Sequence, residues 1–307
     1  MTSTEILDNL FFIRRGYLSA NHFVSRSPRA VLIDTGYSSG WHETRRSIEA
    51  LGVNLSDTSL IINTHTHCDH VGGNRAIQEL SGCDIALHRI GRHFIDNRDD
   101  WATWWRYFGQ EADFFHCTRS LEDGEEICVG DHVFRIIYTP GHASDGIVLY
   151  HKRDKLLISS DTLWENDLAV MTLRVEGSAA VFQMLASLER IATLDVRRVY
   201  PGHGRPFNDF SGAIARSRRR LKGYMADRQR IGNDLLKKLI VYTLLMKKTV
   251  AADSFFALLM DSIWYRETVD LYFNGAYRST FDDILEALIR RKAVRQNNNT
   301  YLTTVPP

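Results

Sequence analysis

The run Thr64-His65-Thr66-His67-Cys68-Asp69-His70 places three imidazoles and a carboxylate within six residues. Neutral imidazole and carboxylate oxygen are ligands for first-row transition metals, and zinc is the commonest ion for such a nitrogen and oxygen set. A single buried histidine is ordinarily a hydrogen-bonded core residue. Four potential ligands this close together point instead to metal chemistry. Three more candidates lie downstream: His142 in Tyr138-Thr139-Pro140-Gly141-His142, Asp161 in Ile158-Ser159-Ser160-Asp161, and His203 in Tyr200-Pro201-Gly202-His203-Gly204. Each follows an apolar run and adjoins Gly, Pro or Ser, where a loop can present a side chain to a shared pocket.

The elements that must hold these groups follow from the surrounding pattern. Leu60 to Asn63 reads as a buried strand ending at Thr64. On an extended chain alternate side chains share a face, so His65 and His67 can serve one metal. After a turn, Asp69 and His70 can serve a second. Gly72-Gly73 predicts a sharp backbone bend, and a helix follows over Asn74–Ser81. Val133–Tyr138 and Leu156–Ser160 read as further strands. By the same alternation Cys68 points away from its histidine neighbours and is a packed, non-ligating thiol.

In this order, His-X-His-X-Asp-His, Pro-Gly-His, Ser-Asp and Pro-Gly-His resemble the metallo-β-lactamase superfamily, most of all its glyoxalase II-like hydrolases. The resemblance covers roughly residues 10–205 and includes Leu32-Ile33-Asp34-Thr35-Gly36. It implies an α/β fold, a four-layer αβ/βα sandwich. It implies one metal on His65, His67 and His142, a second on Asp69, His70 and His203, and Asp161 bridging them. Asp34 matches a position that supports a ligand by hydrogen bonding. The implied cofactors are two divalent ions, Zn2+ first, with Fe or Mn as alternatives. A water bridging two such ions loses its proton near neutral pH and becomes the nucleophile. Asp69 is then both a ligand and a catalytic group that orients the nucleophile or passes on a proton. No Walker A loop offers another mechanism.

The chain of 307 residues, 44% hydrophobic, suffices for one large core and a smaller one. Residues 1–210 are expected to form the catalytic domain and residues 211–307 a helical C-terminal domain, with the boundary near Gly204–Gly212. Helices are predicted over 212–230, 233–246, 251–263 and 280–292. An Asn-rich hairpin over 293–304 completes a winged-helix-like pattern. Similar small domains follow the catalytic domain in one branch of the superfamily.

Acidic residues outnumber basic ones through residue 204, and the balance reverses beyond it, although the net charge is only +1. The two halves are expected to attract each other, within a monomer or across a homodimer. A nucleic-acid-binding face is the lesser alternative, because Arg216, Arg218, Arg219, Arg220 and Lys222 lack interleaved aromatics for base stacking.

The segment from His88 to Cys117 is rich in aromatics. It predicts an amphipathic lid in which Trp101, Trp104, Trp105 and Phe108 bind an apolar acyl group of a small-molecule substrate. Three functions follow: hydrolysis of a thioester, ester or lactone, with a thioester favoured; a nuclease or phosphodiesterase activity; and non-catalytic ligand sensing on the same fold. The N-terminus lacks a basic stretch followed by an apolar core, no apolar run reaches membrane-spanning length, and no CxxC pair occurs. These features predict a cytoplasmic enzyme with free thiols and no membrane partner.

Overall fold

The computed structural model describes residues 2–27 and 29–307. The first seven strands, β1 (Thr2–Leu7), β2 (Leu10–Arg14), β3 (His22–Ser25), β4 (Ala30–Ile33), β5 (Thr58–Ile62), β6 (Asp84–His88) and β7 (Arg119–Leu121), lie side by side in chain order. β1 to β4 pair antiparallel and β4 to β7 pair parallel. The parallel half needs crossovers, supplied by α1 (Trp41–Glu49), α2 (Cys68–Val71), α3 (Asn74–Ser81), α4 (Arg89–Asp96) and α5 (Trp105–Phe108).

The second sheet runs in the order β12-β11-β10-β9-β8. Its strands are β8 (Glu126–Val129), β9 (His132–Tyr138), β10 (Ile147–His151), β11 (Leu156–Ser160) and β12 (Arg198–Pro201). α6 (Leu173–Glu176) and α7 (Ala180–Ile191) connect β11 to β12, which pair parallel.

Alternation along the strands explains the layering. Phe12, Ile33 and Ile62 face Phe134, Ile136, Leu149 and Ile158 of the other sheet. Their chain neighbours Ile13, Leu32 and Ile61 face Ile48 of α1 and Ile77 of α3. Val148 and Leu157 turn outward onto Val181, Met184 and Leu188 of α7. Strands covered on both faces read as unbroken apolar runs. The result is the expected helix–sheet–sheet–helix sandwich.

Beyond β12 come α8 (Phe210–Ala226), α9 (Gln229–Lys247), β13 (Val250–Ala251), α10 (Phe255–Asp261), α11 (Ile263–Phe273), α12 (Tyr277–Arg290), β14 (Val294–Asn297) and β15 (Thr300–Thr303). The short strands form a sheet in the order β13-β15-β14. Two details differ from the sequence expectation. Val250–Ala251 is a strand, because Val250 pairs with Tyr301 and Ala251 with Thr300. The helix expected over 251–263 stops at Ser262, whose extended backbone (ψ 137°) starts a separate helix, α11. No Gly or Pro marks that break, so the apolar pattern runs straight through it.

The C-terminal helices pack around Leu236, Ile240, Phe255, Tyr265, Phe281 and Ile284. Trp104, Tyr107 and Phe108, from the aromatic segment of the first sheet, join the same core. That segment therefore joins the sandwich to the C-terminal helices as well as facing the site.

Candidate metal centre

β5 ends at Ile62, and an extended stretch carries His65 and His67 before α2 begins at Cys68. α2 then presents Asp69 and His70 in its only turn. Gly72 and Gly73 both have ordinary right-handed backbones, so they do not supply the expected sharp bend. Their role is close approach. A Cβ on Gly72 would lie 2.2 Å from Ser38 N and 2.5 Å from the Tyr37 carbonyl carbon. Cys68 is turned away from the cluster as expected, but because it opens a helix rather than by strand alternation. Its Sγ lies 3.8 Å from the Tyr242 hydroxyl.

The second sheet supplies the rest. His142 stands in the β9–β10 turn, Asp161 directly follows β11, and His203 follows β12. Gly202 lets β12 pass close to the site, since a Cβ there would fall 2.1 Å from Asp161 Oδ1. Three mixed groups result, His65/His67/His142, His65/His70/Asp161 and Asp69/His70/His203, each with donor atoms within 4.8 Å of one another. Asp161 Oδ2 lies 3.4 Å from His142 Nε2, 3.6 Å from His70 Nε2 and 3.8 Å from His203 Nε2. It occupies the middle of the cluster, as a bridging carboxylate must. Asp69 Oδ2 lies 3.0 Å from His203 Nε2.

The Nε2 atoms of His65, His67, His70 and His142 are buried without a hydrogen-bond partner. Orphaned buried nitrogens are costly, and four converging on two carboxylates are satisfied together by a cation. The donor set thus fits divalent metal binding. Burial, then the neighbouring imidazoles, holds His65 and His67 well below the ordinary histidine range, so their lone pairs are free near neutral pH. Burial likewise lowers His142. Burial opposes ionisation of Asp161, yet the facing His203 and His70 keep it far below the usual carboxylate range. Burial also opposes charge on His70, but Asp34 and Asp69 outweigh it and raise its pKa.

The far sides of three rings are tethered. His70 Nδ1 donates to Asp34 Oδ2 at 2.9 Å, and Asp34 also accepts from Thr64 N and Thr64 Oγ1. His142 Nδ1 donates to Val170 O at 2.7 Å, and His203 Nδ1 to Gly16 O at 3.1 Å. Such contacts fix the tautomer that leaves Nε2 free for a metal. Asp34 adopts φ +58°, a left-handed conformation that Asp tolerates and that turns the carboxylate back onto His70.

A cavity of about 610 Å³ opens above the cluster, with His67, Asp69, His142, Asp161 and His203 at its floor. Of the four expected lid residues, Trp104 and Phe108 line it. Trp105 does not. It is buried beneath, donating from Nε1 to Thr66 O at 3.0 Å. Trp101 packs on Tyr107, away from the cavity. Trp104 adopts φ +72°, which swings its ring onto His67 at 3.8 Å between centroids while Nε1 donates to Glu176 Oε1 at 2.6 Å. Tyr17, Trp164 and Tyr242, and Leu239 and Leu288 of the C-terminal helices, complete the wall. The sequence carried a weak signal for Trp164 alone, three residues after Asp161.

Residues 23–203 match the metallo-beta-lactamase superfamily. The chain belongs to that superfamily. Among curated relatives, it is 33% identical over 144 residues to a hydroxyacylglutathione hydrolase of Maricaulis maris, covering 47% of each chain. It is 31% identical over 185 residues to the lactamase-like protein vrtG of Penicillium aethiopicum, covering 60% of this chain and 50% of that one. The chain thus spans about half the length of these relatives. A crystal structure of a metallo-beta-lactamase family protein from Thermus thermophilus superposes with a TM-score of 0.62 at 21% identity, over 97% of this chain and 100% of that one. The likeness of fold to that structure extends through the C-terminal helical region.

Proposed function

We propose that the protein is a dinuclear metal-dependent hydrolase of a small-molecule thioester, ester or lactone, with a thioester favoured. The carrying observation is the set of orphaned imidazole nitrogens and carboxylates at the floor of a cavity with aromatic and aliphatic walls. His65, His67 and His142 would hold one ion, Asp69, His70 and His203 the other, and Asp161 would contact both. Zn2+ is the first choice of ion, with Fe or Mn as alternatives. Such a pair, when bound, supplies Lewis acidity toward the substrate carbonyl and a water acidic enough to ionise near neutral pH.

The protein's own groups supply orientation and exclusion. Asp34, Val170 O and Gly16 O hold three rings with Nε2 facing inward. Asp69 lines the cavity and would orient the attacking water and accept its proton. Trp104, Phe108 and Trp164 shield the reacting carbonyl from bulk water and offer an apolar acyl group a complementary surface.

The nuclease reading is disfavoured by the basic face of α8. Arg216 pairs with Asp209, Arg218 with Glu189 of α7, and Arg220 with Asp167. Much of this charge fastens α8 to the sandwich. We further propose that the enzyme works in the cytoplasm; all four cysteines are free thiols, which supports a reducing compartment. Among the described residues no helix is long and apolar enough to cross a membrane.

The test is metal-loaded protein offered acyl thioesters, lactones, phosphodiesters and RNA, with elemental analysis in parallel. Two metal equivalents and thioester or lactone turnover are expected. Metal-dependent, salt-sensitive RNA cleavage with every thioester and lactone ignored would overturn the proposal.

A further inference from the structure

We propose that Lys237, Arg291 and Lys292 form an anion subsite at the mouth of the same cavity, taking the carboxylate or phosphate end of a substrate whose reacting carbonyl lies at the metal ligands. The inference rests on the hydrolase reading above and names the far end of its substrate. All three residues line the cavity that has His67, His142 and His203 at its floor. They lie beyond residue 203, where the superfamily match ends, and so belong to the part of the cavity that the shared motifs do not specify.

Their lack of partners is what separates them from ordinary surface cations. Lys238 is next in the chain and lines the same cavity, but it is neutralised by Asp167 at 3.2 Å and Asp234 at 2.5 Å. No carboxylate pairs with Lys237, Arg291 or Lys292 among the described residues. Burial, and then the charge of Arg291, lowers the Lys237 pKa against the opposing pull of Asp234, which pairs with Lys238 instead. Like charges held together unpaired cost folding free energy, and an arriving anion relieves that cost.

The placement is also fixed. Lys292 adopts φ +59° in the turn after α12. Its N–H donates to Ile289 O at 2.8 Å, and its carbonyl accepts from the Thr304 hydroxyl at 2.5 Å. A favourable helix dipole explains basic residues at the end of α12. It does not explain Lys237, which stands mid-way along α9. The same cavity also carries apolar lining from Val170, Leu239, Val241, Leu245 and Leu288. A matching ligand has an electrophilic carbonyl, an apolar middle and one anionic end. A cavity of about 610 Å³ suits such a small molecule and not a polyanion.

The test uses the full-length, metal-loaded protein and three non-hydrolysable hexyl thioethers that end in an amide, a carboxylate or a phosphate. Quenching of tryptophan fluorescence reports binding, since Trp104 and Trp164 line the cavity. At low ionic strength the better anionic ligand is expected to bind about tenfold more tightly than the amide, and the ratio should shrink as salt screens the cations. Which anion binds more tightly identifies its source, a carboxylate-ended or a phosphate-ended carrier. Arg291→Gln, at an exposed position, should cut the ratio about threefold, and adding Lys237→Gln should bring it to about one. Arg295→Gln, an exposed cation on β14 outside the cavity, should keep the wild-type ratio. Equal binding of amide and anions by the wild type, equal loss of all three ligands in the variants, or no binding by any ligand would overturn the subsite. Because no turnover is required, anion preference without thioester or lactone hydrolysis would strike the hydrolase reading alone, and hydrolysis without anion preference would strike the subsite alone.

Discussion

Replacing Asp34 by asparagine separates the support of one imidazole from the imidazole itself. The carboxylate is 2% exposed and accepts from His70 Nδ1 at 2.9 Å, Thr64 N at 2.9 Å and Thr64 Oγ1 at 2.8 Å. Asparagine matches its shape and tolerates the φ of +58°. The Thr64 N–H, however, needs an acceptor at Oδ1, so the amide oxygen must stay there and the NH2 group must replace Oδ2. That NH2 would face His70 Nδ1, which must then accept instead of donate. The ring proton moves to Nε2, the atom directed at Asp161. A protonated Nε2 cannot hold a metal. The expected loss is about 10- to 100-fold in affinity at the site proposed on Asp69, His70 and His203, or about 1.4–2.7 kcal/mol. The site proposed on His65, His67 and His142 should be much less affected, because His142 is oriented independently by Val170 O. Chelator competition with elemental analysis of the retained metal measures both affinities. If Asp34→Asn keeps both within threefold of wild type, Asp34 does not set the His70 tautomer and the argument fails.

Glu176 is pushed up to about 8 by burial, against an ordinary 4.5. A raised folded-state pKa gives stability that is complete below about pH 4.5 and is lost as pH rises toward 8, so Glu176→Gln should remove that slope. Urea midpoints at pH 5 and pH 9 should show the variant gaining on wild type by a few kcal/mol at the higher pH, on the order of 2–4; a constant difference would contradict this. Gly72→Ala forces backbone at Ser38 and Tyr37 to move and should cost roughly 1–3 kcal/mol or more, read as a lower Tm. Trp104 is only 4% exposed and packs in the core shared with the C-terminal helices, so Trp104→Ala should cost roughly 3–5 kcal/mol of stability, and an unchanged Tm would contradict that packing.

The cluster of histidines and aspartates was legible in the sequence because ligation restricts residue type, and strands ending in Gly, Pro and Ser mark where such residues can converge. The sandwich was legible for a related reason: strand segments covered on both faces, such as Ala30–Ile33 and Leu60–Ile62, are apolar throughout. The cavity wall was not. Trp104 and Trp105 are chemically identical neighbours, yet one lies over His67 and the other beneath it, and a left-handed backbone at Trp104 decides which. Tyr242, Lys237 and Leu288 reach the site only through the docking of helices far along the chain, which no local periodicity encodes. The break at Ser262 was hidden because no Gly or Pro marks it; its extended backbone is accompanied instead by hydrogen bonds from Ser262 N and Oγ to Leu259 O.

Each of the three candidate ligand groups draws on both sheets. A nascent chain that exposes His65, His67, Asp69 and His70 must still add residues through His142 before any group is complete, and through His203 before all of them are. At roughly 5–20 residues per second this takes on the order of ten seconds of synthesis. During that interval the histidine-rich run is a partial chelator with no geometry to select among ions. Selection begins only when the second sheet has docked, so the order of synthesis makes metal choice a late event, governed by the finished sandwich rather than by the first ion encountered.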